Sequence, residues 1–218
     1  MTITPDSVNS LLNSEDFGER IRGLNQLRQL DPQTAFSMVQ PLVTDQNTRV
    51  RYAAVSQLDS LGDVNREAAL EMLRDRLFND PEPDVQAAAA DAIGGLRLVE
   101  AFADLDNVYH NSSEWLVQFS IIAALGELGE PQGFNLLEEA LQSNNNLLQT
   151  AAIGSMGELG DPRGVSLLKE FANNEDWQIR YRLVQALGRL GGDEAKAIIA
   201  QLVDDESEQV AQEAKNNL

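Results

Sequence analysis

Apolar residues return along this chain in a fixed order. From Val50 they fall at the start and then 4, 5, 8 and 11 positions on, as Val50, Ala54, Val55, Leu58 and Leu61. That spacing is one face of an α-helix. The same register starts again at Val85, Val117, Leu148 and Ile179, in DVQAAAADAIGGLR, LVQFSIIAALGELGE, LLQTAAIGSMGELGD and QIRYRLVQALGRLGG, and a partial copy opens at Val210. The anchors are 35, 32, 31, 31 and 31 residues apart, and a degenerate first copy, RIRGLNQLRQLD from Arg20, lies 31 residues before the second. An internal period of this size marks stacked supersecondary units.

Punctuation between the copies predicts a second helix in each. Gly129, Gly160 and Gly191 follow the last periodic leucine, where a left-handed residue ends a helix at least cost. Gly126, Gly157 and Gly188 lie one position after the fourth apolar residue, where a missing side chain lets a neighbouring helix approach. Asp31-Pro32, Glu130-Pro131 and Asp161-Pro162 then announce new helices, because proline suits a first helical position. The expected second helices cover 33–43, 65–78, 131–141, 162–171 and 193–203, the first kinked at Pro41. The reading is all-α: an α-solenoid of helical-hairpin repeats of about 31 residues, six to seven pairs, filling 1–218 as a single domain. Such arrays bury each pair only against its neighbours. We expect a curved right-handed superhelix with the anchor helices on its concave face. The register is disturbed once, over 98–113 (LVEAFADLDNVYHNSS), and Tyr109 and His110 are expected in a loop there.

Composition narrows the chemistry. Sixteen basic against 35 acidic residues give a net charge of −19 in 218 residues, with 43% hydrophobic residues, so the chain is acidic but able to build a core. A field of this sign repels phosphate backbones and anionic lipid heads, which makes nucleic acid and membrane surfaces poor partners. Cysteine is absent and His110 is the one histidine, so no disulfide, thiolate metal site or thiol nucleophile is expected. MTITPDSVNSLL has no basic region before its apolar residues, and the longest uninterrupted apolar stretch runs from Ile121 to Leu125. Neither a secretory signal nor a membrane span is expected, and a cytoplasmic location is the default. No phosphate loop, metal-ligand spacing or Ser-His-Asp order stands out.

The segments ALGELGEP, SMGELGDP and ALGRLGG, with the run SEWLVQFSIIAALGELGEPQGF from Ser113 to Phe134, resemble the HEAT-like, E/F-type phycobilin lyase group of cyanobacteria. The resemblance covers residues 14–218. It implies phycobiliprotein subunits and a linear tetrapyrrole as partners, with a protease or a second HEAT-like chain as a further partner. Members of the group attach or remove bilins, or act when the light-harvesting antenna is dismantled. The reactive thiol belongs to the client, so the absence of cysteine is compatible. No tightly bound cofactor or metal is expected, and phycocyanobilin is the implied ligand.

A bilin needs cations for its propionates, a carboxylate for its pyrrole N–H groups and aromatic walls. One position after the anchors stand Arg51, Gln86, Gln118, Gln149 and Arg180; the next position reads Tyr52, Ala87, Phe119, Thr150 and Tyr181. Trp115 and Trp177 precede their anchors by two positions and follow Glu114 and Asp176. Arg51, Tyr52, Glu114, Trp115, Phe119, Trp177, Arg180, Tyr181 and Arg182 are therefore the candidate binding residues. Each also has a structural reading: arginine and glutamine can bond the neighbouring turn, and the tryptophans can plug gaps between helix pairs. Asp176, Glu127, Glu158 and His110 are the candidate proton-transfer groups, against solvated helix ends for the glutamates and a bystander role for the histidine. The acidic run from Asp204 to Glu208 is read as a solubilising end cap. Two functions stay open: a bilin-handling protein that detaches chromophore, with a lyase subunit as a variant, or an adaptor that performs no bond chemistry.

Overall fold

The computed structural model describes residues 3–218; Met1 and Thr2, at the start of the segment read for targeting signals, lie outside the described residues. The described residues form fourteen α-helices and no strand: α1 Pro5–Leu12, α2 Phe17–Leu27, α3 Pro32–Val39, α4 Thr48–Leu61, α5 Arg66–Asn79, α6 Pro83–Gly95, α7 Phe102–Asn111, α8 Trp115–Leu128, α9 Gly133–Leu141, α10 Asn146–Leu159, α11 Gly164–Leu168, α12 Trp177–Leu190, α13 Gly192–Gln201 and α14 Glu208–Asn216. The chain divides into two compact units, Met1–Ile121 and Ile122–Leu218. Each is an α-solenoid segment: the even-numbered helices carry the repeat anchors, and the odd-numbered helices back them. The anchors Val50, Val85, Val117, Leu148, Ile179 and Val210 are all buried. Burial of side chains of this size contributes about 1.5–3 kcal/mol each. Leu24, Leu58, Leu73, Leu77 and Ile93 form the heart of the first unit, and Leu125, Leu137, Ile153, Leu183 and Leu187 that of the second.

Several element ends differ from the sequence reading for local reasons. Pro41 ends α3 rather than kinking it, because proline cannot donate into an α-helical ladder; the chain leaves α3 at Val39 and runs on as a 3-10 turn over Gln40–Thr44. Asp31 caps α3 through its bond from the Thr34 amide, with Pro32 at the first helical position. Pro131 and Pro162 instead occupy turns two residues before α9 and α11. The disturbed stretch is more ordered than a loop: a 3-10 turn over Val99–Ala101 leads into α7, which carries Tyr109 and His110. Arg97, at φ 51°, ends α6 in the left-handed region, one residue position that Gly129, Gly160 and Gly191 fill in later copies.

The turn before each anchor helix follows a rule. Five residues ahead of the anchor position stand Ser14, Asp45, Asp80, Ser112, Ser143, Asn174 and Asp205, and each side chain accepts the amide two residues on. These are Asx- and Ser-type turns. They aim the chain into the next helix and fix where its first-turn side chains emerge.

Candidate binding groove

The residues after the anchors are built into this turn system. Arg20, Arg51, Gln86, Gln118 and Arg180 each donate to the carbonyl of the five-before residue of their own copy, and Gln149 donates to Leu141 O at 2.8 Å. The three arginines also reach the next copy. Arg51 donates to both oxygens of Asp80 at 2.8 and 3.0 Å, Arg180 to both of Asp205 at 2.7 and 2.8 Å, and Arg20 Nη2 to Asp45 at 3.0 Å. Arg51 and Arg180 are 7% and 5% exposed. They are clamps between repeats, which differs from their place among the candidate binding residues. The guanidinium forks are committed to carboxylates and carbonyls, with no edge left for a propionate.

These pairs make stability depend on acid. The Arg180 hydrogen bond, aided by the Ser207 amide, holds the Asp205 carboxyl below its ordinary value against the opposing effect of burial. At Asp80, burial pushes upward most strongly, but the bonds from Arg51 and the Glu82 amide and the charges of Arg51 and Arg76 together leave the carboxyl lowered. A carboxyl lowered in the folded state contributes stability that is present above the unfolded value of about 3.9 and is lost as pH falls below it. We expect Asp205→Asn to lower the melting temperature at pH 7 and to flatten its decline between pH 4 and pH 2. A decline as steep as the parent's, measured by thermal melts across that range, contradicts the assignment.

Each candidate proton-transfer group has its own local setting. Asp176 is the N-cap of α12, accepting the Gln178 amide at 2.8 Å. Glu158 accepts from Arg189 at 2.5 Å. Glu127 stands exposed near the end of α8. His110 belongs to the first unit, with Nδ1 2.8 Å from Asp106 O and its ring edge-on to Tyr109. Tyr52, Glu114 and Trp115 are exposed and Phe119 is half-buried, all in the first unit. Among the described residues no group of three His, Asp or Glu side chains is arranged to hold a metal, and no helix is long and apolar enough to cross a membrane.

The second unit does bring three of the candidates together. Trp177, Tyr181 and Arg182 lie along the first turns of α12, between α10 and α14, in a groove of about 700 Å³. That volume is within the range of small-molecule and peptide sites. Thr150 of α10 lines one side. Glu208, Gln209, Gln212 and Glu213 of α14 form the other. Tyr181 Oη donates to Glu213 Oε2 at 3.4 Å, and Trp177 keeps 42% of its surface exposed. Arg182 is exposed, and its Nη1 donates to Gln185 at 3.2 Å. The α14 wall was absent from the sequence reading, where Glu208 belonged to a solubilising run and Asp205 was not a partner. Gln212 holds the column position of Thr150 and Tyr181 in the partial copy, and that alignment was the available signal.

The HEAT-repeat family model matches residues 5–80, 70–153 and 136–218. No curated protein sequence matches the chain. Among solved structures, the complex of CpcE and CpcF of phycocyanin lyase from Nostoc sp. PCC7120 is similar, with a TM-score of 0.66 and 19% identity over 100% of this chain and 94% of that one. An archaeal HEAT-like repeats protein from Thermococcus onnurineus NA1 gives 0.60 and 16% over 100% and 96%. YibA of Escherichia coli gives 0.62 and 13% over 99% and 92%. At these identities the likeness is one of fold. With three overlapping family matches spanning the helices and turns described above, the chain belongs to the HEAT-repeat family.

Proposed function

We propose that this HEAT-repeat protein binds phycobiliprotein subunits through the α10–α12–α14 groove and serves the dismantling of the antenna, in the manner of the phycobilisome-degradation (non-bleaching) type within the phycobilin lyase group. The observation that carries a binding role is the groove itself, where an exposed tryptophan, a tyrosine and a cation share one surface. Aromatic anchors beside arginine are what interface hot spots use. The choice of client is supported by the sequence resemblance and by full-length likeness to phycocyanin lyase subunits. The binding role is favoured over bond chemistry because Asp176 and Glu158 are engaged in a cap and an ion pair.

Mixing the protein with holo-phycocyanin and resolving complexes by size, with a denaturing gel stained for covalent bilin, tests this. Co-elution with bilin still attached is the expected result. Released bilin moves the reading to chromophore detachment, and no co-elution with intact bilin removes the client. Trp177→Ala is expected to weaken phycocyanin binding about tenfold, in line with a single aromatic anchor, with the melting temperature unchanged. Binding per folded molecule that stays at the parent level returns Trp177 to a packing role. The binding rests on shape and local pairs rather than on the long-range field, so we expect weak dependence on added salt.

A further inference from the structure

We infer that the groove of the second unit is a receptor for a guanidinium group, an arginine side chain presented by a protein partner. This goes beyond the choice of client and stands on the walls of the groove. The wall on α14 carries two carboxylates, Glu208 and Glu213, with the amides of Gln209 and Gln212 between them along the helix. The centre, on α12, carries Trp177 and Tyr181. The one cation, Arg182, stands toward α10, its Cδ 3.5 Å from where a Cβ on Gly154 would sit. Carboxylates therefore face an aromatic surface across a space open to solvent, in a chain of net charge −19.

An anion entering that space meets two carboxylates against one arginine. A cation on the α14 side meets the two carboxylates and the aromatic rings of α12, with Arg182 set off toward α10. Guanidinium fits better than ammonium: it is planar, lies on an aromatic face, and donates in a fork to carboxylate while its other N–H groups reach amide oxygens. The protein already satisfies guanidinium groups in both ways, with Arg163 set 4.0 Å over the Phe134 ring and Arg180 forked onto Asp205. Glu213 is pre-set by the Tyr181 hydroxyl and by Asn217 Nδ2 at 3.3 Å, so it does not have to be ordered when a ligand arrives.

The test follows Trp177 fluorescence in a full-length Trp115→Phe background, which leaves a single tryptophan, during titration with acetylated and amidated tetra-arginine, tetra-lysine and tetra-glutamate. We expect saturable one-to-one binding of tetra-arginine, at least fivefold weaker binding of tetra-lysine and no response to tetra-glutamate. Glu208→Gln with Glu213→Gln weakens tetra-arginine binding at least tenfold, and the exposed Glu208→Gln alone at least threefold. Removing the same charge elsewhere, by Asp193→Asn with Glu194→Gln on α13, leaves affinity within twofold. Equal binding of tetra-lysine, or equal weakening by the two charge-matched double variants, overturns the site in favour of the general field of an acidic protein. Phycocyanin binding is read separately, so tetra-arginine selectivity in a chain that does not hold phycocyanin supports the site and rejects only the client.

Discussion

Replacing Arg51 with alanine is expected to lower the stability of the first unit by about 3–5 kcal/mol, the range for removing one member of a buried ion pair. At about 2–4 °C per kcal/mol for a chain of this size, the melting temperature falls by roughly 6–20 °C. The effect is large because the substitution orphans several groups at once. Asp80, 3% exposed, loses both hydrogen bonds from Arg51 and keeps Arg76 at 3.1 Å and the Glu82 amide at 3.1 Å. The carbonyls of Asp45 and Gln46 lose donors at 3.0 and 3.3 Å. The α4 and α5–α6 copies then share a turn whose buried carboxylate has lost its two-pronged partner and is held by Arg76 alone among cations. Replacing the pair together, Arg51→Met with Asp80→Leu, removes the stranded charge and is expected to recover about half of the loss, because apolar groups of similar volume can substitute for a buried pair. Denaturation midpoints for the single and double variants decide the matter. A single variant within about 0.5 kcal/mol of the parent leaves Arg51 free to serve a ligand.

The same clamp shows what was legible in the sequence. Helices and repeats were, because burial on one helical face prints apolar residues at fixed intervals and no partner is needed to read them. The role of the column after the anchors was not, because it rests on contacts between copies. The information was nevertheless present. Arginine occurs at Arg20, Arg51 and Arg180, where the following copy has Asp45, Asp80 and Asp205 five positions before its anchor. Glutamine occurs at Gln86, Gln118 and Gln149, where that position holds Ser112, Ser143 and Asn174. A long cation appears only where the next turn supplies an acid. The groove was half legible: Trp177, Tyr181 and Arg182 stood out by type, whereas the α14 wall comes from a truncated copy whose polar residues read as a solvated end. His110 drew attention as a lone titratable group, and helix periodicity through the disturbed stretch was too weak to place it on α7.

Close packing of α10 on α12 gives the second large effect. A Cβ on Gly157 would lie 2.6 Å from Ala186 Cα and 2.9 Å from Ala186 Cβ. Backbone cannot swing aside as a side-chain tip does, so the helices must separate. Gly157→Val is expected to cost about 3 kcal/mol, near the upper end for overpacking, and Gly157→Ala about 1–2 kcal/mol, even though alanine in a helix interior is otherwise favoured over glycine by about 0.5–1 kcal/mol. Two other glycines of the same unit calibrate the argument. At Gly188 the obstruction is the side-chain oxygen of Asn217, 2.1 Å from the added Cβ, which can rotate away at the loss of its bonds to Glu213. At Gly164 the nearest atoms are the side chains of Leu190 and Met156 at 3.5 Å, an ordinary contact. The expected order of stability among the alanine variants is therefore Gly164, then Gly188, then Gly157, with Gly164→Ala at or above the parent. Denaturation midpoints test it, and Gly157→Ala matching Gly164→Ala contradicts the close approach. Since α10 and α12 also bound the groove, separating them moves Thr150 from Trp177 and Tyr181. Gly157→Val should then weaken partner binding in whatever fraction still folds, while Gly164→Ala leaves binding at the parent level.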